Sequence, residues 1–262
     1  MSAAALIHPS AVIHPGARLG EGVRVAPFAI IEDNTVVGDG CSIGPHAVIH
    51  AGARLGRAVE VHQGASVSCL PQDLKFEGEE SVLEVGERTV IREFTTLSRG
   101  TAESGATRIG AGCLIMAYVH LAHDCQVGDG CILVNSVQVA GHVKIGSRVT
   151  IGGLVAVHQF VRIGDHAFVG GGMEVTKDVP PYVLANGHPL KFCGLNLVGL
   201  KRRGFDSERL RRIRDHYRLF FGKGSLNAGQ ALERLKEMAG DDEDALLIAA
   251  FVEQADRGLI GG

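Results

Sequence analysis

The chain has 262 residues, with 26 Lys or Arg against 29 Asp or Glu and a formal net charge of −3. That length can bury a substantial core, and the near-even charge balance gives no global reason to expect nucleic acid as a partner. No apolar run approaches the ~18 residues of a membrane helix and no leader-like segment precedes the first apolar pattern, so membrane insertion is not expected and the cytoplasm is the expected location.

From Ile7 to Val175 every sixth residue falls on one grid, and 26 of its 29 positions are Ile, Leu or Val. The exceptions are Asp73, Glu79 and Glu103. A six-residue apolar period fits neither a helix nor a simple strand alternation. It is the signature of a left-handed parallel β-helix built from hexapeptides. Three hexads make one coil, so positions one such step apart should stack about one strand spacing (~4.8 Å) away. Such coils run against the usual right-handed crossover.

Residues 1–184 are read as the β-helix. Two polar stretches leave the grid, 69–83 (CLPQDLKFEGEESVL) and 99–107 (RGTAESGAT), and are expected to be loops thrown out from coil corners. Loops on a rigid scaffold are favoured places for binding residues. The repeat stops at Asp178-Val179-Pro180-Pro181, and 185–262 are expected to form a helical domain. Its three predicted helices are 206–221, with Leu210, Ile213, Tyr217, Phe220 and Phe221 on one face; 225–239, opening at Ser225 with Leu232, Leu235 and Met238 together; and 241–257, opening on an acidic run. Acidic residues suit a helix N-terminus. These helices should dock on each other and on a neighbouring subunit. By analogy with other hexapeptide β-helices, the expected assembly is a homotrimer.

Cys41, Cys113, Cys125 and Cys131 all lie four places after a grid residue, in a column otherwise mostly Ala, Thr and Val. They are expected to pack inward as small apolar groups. No CxxC pattern suggests zinc or a redox pair. His8, His14, His50 and His62 each follow a grid residue and, with His46 and His166, read as corner or surface residues.

The group around His123 differs. The hexads LAHDCQ (121–126), VAGHVK (139–144) and VHQFVR (157–162) begin one coil step after another. They should bring His123, His142 and His158 to one face, with His120 at the corner just before the first. Two chemistries fit such a cluster. One is a metal site in the manner of gamma-class carbonic anhydrases, although their ligand spacing differs from that of His120 and His123. The other is general base catalysis by a neutral imidazole. Asp124 would then stabilise the imidazolium and Gly141 would offer a backbone N–H to an oxyanion.

The segments AHDC (122–125), AGHV (140–143), VHQF (157–160), DVPPYV (178–183) and GLKRRGF (199–205), together with QDLK (72–75), resemble the UDP-N-acetylglucosamine acyltransferase family over essentially the whole chain. The resemblance implies transfer of an (R)-3-hydroxyacyl group from acyl carrier protein to the 3-hydroxyl of UDP-GlcNAc, the first step of lipid A synthesis, with neither cofactor nor metal. It implies His123 as general base, Asp124 orienting it, Gly141 as oxyanion donor and His142 positioning substrate. His120, His158 and Gln159 would line the sugar and acyl site. Gln72, Asp73 and Lys75 would reach into an intersubunit cleft, and Asn196, Arg202 and Arg203 would meet the nucleotide and its phosphates. Val198 stands where some members are acidic, and His188 has no counterpart role. A side chain near Gly171 can limit the acyl groove in this family; glycine there leans toward a longer chain, although Met173 is adjacent. Residues 201–224 carry nine Lys or Arg against three Asp or Glu, a local basic patch suited to an acidic carrier or a diphosphate. The nearest rival is the later N-acyltransferase of the same pathway, which carries an extra domain ahead of its repeats.

Overall fold

The computed structural model describes residues 6–222, 224 and 226–262. Three largely parallel sheets form the faces of a prism, with 11, 9 and 8 strands. Most strands are only two residues long, and the second is the grid residue, as in Arg24–Val25, Ile30–Ile31 and Val36–Val37. Its side chain points inward while the first points out, because successive strand residues face opposite sides. The column four places on from the grid is also internal: Val23, Ala29, Cys41, Ala47, Val59 and Ala65 are fully buried. Each hexad thus delivers one large aliphatic group and one small side chain, mostly Ala, Val, Thr or Cys, to the core.

The register confirms a step of 18 where no loop intervenes, for example Val25↔Ile43 (43 − 25) and Ile43↔Val61 (61 − 43). Across the first loop it becomes 30, as in Leu55↔Val85 (85 − 55). Across the second it is 24, as in Val85↔Ile109 (109 − 85). The insertions are therefore two hexads and one hexad long (30 − 18 and 24 − 18). Whole hexads keep the grid in phase through two interruptions and leave Asp73, Glu79 and Glu103 as nominal grid members lying in loops.

Many corners place one residue at positive φ, among them Tyr118, Asp124, His142, Phe160 and His166, all near +60°. For non-glycine residues this left-handed conformation costs roughly 1 kcal/mol, and the sheet register on either side enforces it. Some internal polar atoms find backbone partners. Thr89 Oγ1 donates to Gly110 O at 2.8 Å and Cys125 Sγ to Ala140 O at 3.1 Å. The four column cysteines are buried as expected, and burial pushes the Cys125 thiol up to about 12.

Strand Val183–Asn186 continues the first sheet and Lys191–Leu195 folds back antiparallel to it. Four helices follow: α1 (Leu197–Arg202), α2 (Ser207–Phe221), α3 (Ala228–Ala239) and α4 (Glu243–Glu253). Helix α1, six residues long, has no counterpart in the sequence reading because it is too short to show a period. Helix α2 is capped by Asp206 and buries Leu210, Ile213, Tyr217 and Phe220. The start expected at Ser225 lies outside the described residues; α3 is capped instead by Asn227, which forms a capping box with Gln230. Met238 is 56% exposed rather than packed with Leu235, because Ala231, Leu235 and Ala239 define the buried stripe and Met238 falls at its edge. Helix α4 is shorter than expected at both ends, starting after the Asp242 cap. The helices close the end of the β-helix of their own chain: Tyr217 Oη donates to Pro181 O at 2.6 Å, and Arg162 Nη1 to Gln254 O at 2.8 Å. Among the described residues, no helix is long and apolar enough to cross a membrane.

Candidate active site

The site forms where the turn 122–124 sits over its equivalents 140–142 and 158–160, one coil step apart. Stepping by one coil from His123 reaches Gly141 and then Gln159; stepping likewise from Asp124 reaches His142 and then Phe160. The backbone bonds His142 N–H to His123 O (3.1 Å) and Phe160 N–H to Gly141 O (3.2 Å) lock this stack. The His123 and His142 rings meet edge to face at 5.0 Å, and His142 stacks on Phe160 at 4.7 Å.

Asp124 is the anchor. It is buried, and its Oδ2 accepts from His123 Nδ1 at 2.8 Å and from Thr101 Oγ1 at 2.7 Å. Oδ1 accepts the Thr101 N–H at 3.0 Å and the Ser104 hydroxyl. Burial alone would raise this carboxyl. The hydrogen bonds from Ser104, Thr101 and His123 outweigh it and hold the group down at about 2. An ionised carboxylate only accepts, so His123 Nδ1 carries the hydrogen, and in the neutral ring the lone pair lies on Nε2. Asp73, the nearest acid on that side, has its Oδ2 3.9 Å from Nε2.

Gly141 has a steric reason to be glycine. A Cβ on its backbone would lie 2.7 Å from His123 Cε1 and 2.8 Å from Nε2. Among the described residues its N–H has no protein acceptor, so a free donor borders the base. A cleft of about 780 Å³ opens over these groups, lined by Gln72, Asp73, Leu74 and Lys75 from the first loop, Glu103 from the second, and His120, Gln138, His142 and Gln159 from the coils.

His123, Asp124 and His142 place three ligand atoms within 4.8 Å of one another. They do not fit a metal. His123 Nδ1 and Asp124 Oδ2 stand 2.8 Å apart, whereas two ligands of a tetrahedral ion bound at ~2.0–2.1 Å sit about 3.3 Å apart. The carboxylate is also saturated by Thr101 and Ser104.

Comparison with known proteins gives the family. A family model described as UDP N-acetylglucosamine O-acyltransferase, domain 2, matches residues 178–260, and one for bacterial transferase hexapeptides matches 106–141. A protein of Sulfurihydrogenibium sp. named acyl-[acyl-carrier-protein]–UDP-N-acetylglucosamine O-acyltransferase is 52% identical over 254 residues, 97% of this chain and 93% of its own. The chain belongs to the UDP-N-acetylglucosamine O-acyltransferase family. A Chlorobaculum parvum relative of the same name is 53% identical over 92% of each chain. The solved acyltransferase of Acinetobacter baumannii superposes with a TM-score of 0.94 at 40% identity, covering 97% of this chain and 99% of its own. That of Francisella novicida gives 0.95 at 36% identity, with 98% and 94% covered.

Within this acyltransferase chain the expected residues separate into two groups. Gln72, Asp73, Lys75, His120, His123, Asp124, Gly141, His142 and Gln159 converge on one cleft or its floor. His120 is not at a corner as expected. It lies on the strand His120–Leu121 with Nδ1 2.8 Å from Thr96 Oγ1, and burial, with His123 nearby, lowers its pKa. His158 does not join the cluster: it is exposed, and its Nδ1 is satisfied by Gln159 O at 3.0 Å. Its hexad place is that of Ala122 and Ala140, which line the cleft on the two preceding coils.

Gly171 sits in the turn after Phe168–Val169, where a Cβ would come 3.2 Å from Gly153 O, outside the cleft lining. Asn196 caps α1: its Oδ1 accepts the Gly199 N–H at 3.1 Å and its Nδ2 donates to His166 O at 2.9 Å. Arg202 and Arg203 are exposed on and after α1, also away from the cleft of their own chain. Thr101, Ser104 and Phe160 were not singled out by sequence. Phe160 could have been, lying one coil step after His142; nothing in the sequence aims Thr101 and Ser104 at Asp124.

Proposed function

We propose that this chain transfers a 3-hydroxyacyl group from acyl carrier protein to the 3-hydroxyl of UDP-N-acetylglucosamine, with His123 as general base. The observation that carries the reading is the buried Asp124 carboxylate on His123 Nδ1, which leaves Nε2 facing a cleft bordered by the free Gly141 N–H. His123 Nε2 removes the proton from the sugar hydroxyl as its oxygen attacks the thioester carbonyl. Asp124 stabilises the imidazolium that forms. Gly141 N–H receives the developing oxyanion, and the imidazolium proton leaves with the carrier's thiol. No covalent enzyme intermediate is needed, and Cys125, buried with its thiol pushed up to about 12, is unsuited to be a nucleophile.

A second copy of the chain completes the site in this reading. Asn196, Arg202 and Arg203 lie outside the cleft of their own chain and would meet the nucleotide from a neighbour. Exposed apolar side chains along one prism edge, Phe28, Phe94, Tyr118 and Leu154, support an assembly that covers them. The expected assembly is a cytoplasmic homotrimer, checked by light scattering of the purified protein. The open turn at Gly171 favours a long acyl chain, with Met173 as the competing influence.

The test is a direct assay with UDP-GlcNAc, its 3-amino analogue and 3-hydroxyacyl carrier proteins of several lengths, with product mass measured. O-acylated UDP-GlcNAc is expected. Turnover of the amino analogue alone would reject the acceptor, and retained turnover in His123→Ala would reject the base.

A further inference from the structure

Outside the cleft, one cluster joins a carboxylate, an imidazole, a hydroxyl and a thiol in a chain. Glu32 Oε2 accepts the Ala51 N–H at 3.0 Å, and its Oε1 is 3.0 Å from His50 Nδ1. His50 Nε2 is 2.8 Å from Ser66 Oγ, and Cys69 Sγ lies 3.1 Å from that same Oγ and 3.3 Å from Ser66 O. The donors orient one way. A carboxylate only accepts, so Nδ1 carries the hydrogen; Nε2 then accepts from Ser66 O–H, whose oxygen accepts from the Cys69 thiol. A proton leaving Sγ passes through Ser66 to His50 and rests as an imidazolium beside Glu32.

The other cysteines lack this. Cys41, Cys113, Cys125 and Cys131 are buried and donate to backbone carbonyls, while exposed Cys193 faces only Asn186 O at 3.7 Å. Burial alone would raise the Cys69 thiol, but its bonding toward His50 and Ser66 brings it below the ordinary thiol range, and His50 is correspondingly raised. Metal binding is not the reading, because Glu32 and Ser66 occupy opposite sides of the imidazole.

The position matters. Strand Ser66–Cys69 pairs with Thr96–Ser98, which pairs with the strand of His120. Ser68 sits at φ +69° and the register shifts between Val67 and Cys69, so Cys69 is the root from which the loop of Gln72, Asp73 and Lys75 departs.

We propose that Cys69 is an activated thiol, modified by low-molecular-weight disulfides, and that the mixed disulfide displaces the 70–81 loop from the acyl-transfer cleft. The Cys69 thiolate attacks one sulfur of the disulfide; a new S–S bond forms, the old one breaks, and the second half leaves as a thiolate that takes a proton from solvent. The thiol's reactivity stands on its own geometry; its effect on turnover rests on the function proposed above.

The probe is glutathione disulfide on the intact wild-type protein, with modification of Cys69 and Cys193 followed by peptide mass spectrometry between pH 5 and 9. At pH 7 Cys69 is expected to react about fivefold faster than Cys193, with a half-maximal rate below the ordinary thiol midpoint of about 8.5. His50→Gln should return Cys69 to the Cys193 profile. A Cys69 midpoint matching that of Cys193, or no modification of Cys69, overturns the activated thiol without need of the variant. Turnover of the modified enzyme should fall and recover with dithiothreitol, while Cys69→Ser keeps basal turnover and loses the sensitivity. Full turnover in the modified wild-type enzyme overturns the link to the loop, and His123→Ala tests the acyl-transfer reading separately.

Discussion

Two edges of the prism are built alike and serve opposite ends. Along one, Asp124, His142 and Phe160 occupy successive corners at φ +59° to +66°; along the other, Arg148, His166 and Tyr182 do so at φ +59° to +67°. Each stacks a histidine on an aromatic ring, His142 on Phe160 at 4.7 Å and His166 on Tyr182 at 5.7 Å. The first edge is left open, and its buried acid hands a lone pair to a cleft. The second is covered: Phe205 meets the His166 ring at 5.3 Å, Asn196 binds His166 O, and Tyr182 Oη donates to Asp244 at 2.7 Å. Asp244 in turn holds Arg209 through two bonds of 2.7 and 2.8 Å. The same corner geometry therefore carries chemistry or docking according to whether loops or helices pack over it.

Breaking the open edge should cost activity and not fold. His123→Ala is expected to lower kcat about 10³-fold, within the usual range for a general base, with an unchanged melting temperature. Gly141→Ala puts a methyl 2.7 Å from the His123 ring and should cost roughly 10²-fold in kcat by shifting the base, which steady-state kinetics would show. Breaking the covered edge should do the reverse. Asp244→Ala leaves Arg209 and the Tyr182 hydroxyl without their shared acceptor and should cost about 2 kcal/mol in a urea titration, while turnover of the folded enzyme persists. Equal losses of stability from His123→Ala and Asp244→Ala would erase the distinction.

The smallest effect is a pH dependence. Burial, then Arg203 and Arg148, depress His166 to about 4, below the unfolded value of about 6.5. The folded state favours neutral His166, so its contribution is present above pH 6.5 and is lost as pH falls toward 4. The melting temperature should decline across that window, and less steeply in His166→Phe. An identical decline in the variant would assign it to other groups.

These two edges also show what the sequence could reveal. The grid placed the strands of the coils, since each carries a predicted Ile, Leu or Val, and it correctly sent Cys125 inward. Counting by coil steps brought His123 and His142 together because their columns adjoin. It also brought His158 to the same sheet face, where the ring is exposed outside the cleft lining of its own chain. The clamp on Asp124 was out of reach because Thr101 and Ser104 come from a loop with no period. Helix α1 was hidden because six residues show no period, and the packing of Tyr182 against Asp244 because it is a tertiary contact between aperiodic segments.

The lengthened register steps across the two loops carry a consequence for how this chain tolerates change in length. A residue deleted within a coil advances everything after it by one place, so that each downstream aliphatic group would have to turn outward or the strand would have to slip. A residue deleted from 70–81 is absorbed where it occurs, since the strands on either side are held by their own register. Sequence drift in length should therefore gather at two corners and be silent elsewhere, and both corners face the same cleft. The scaffold leaves free to vary the segments that meet the substrate, and holds the base they act beside on a counted lattice.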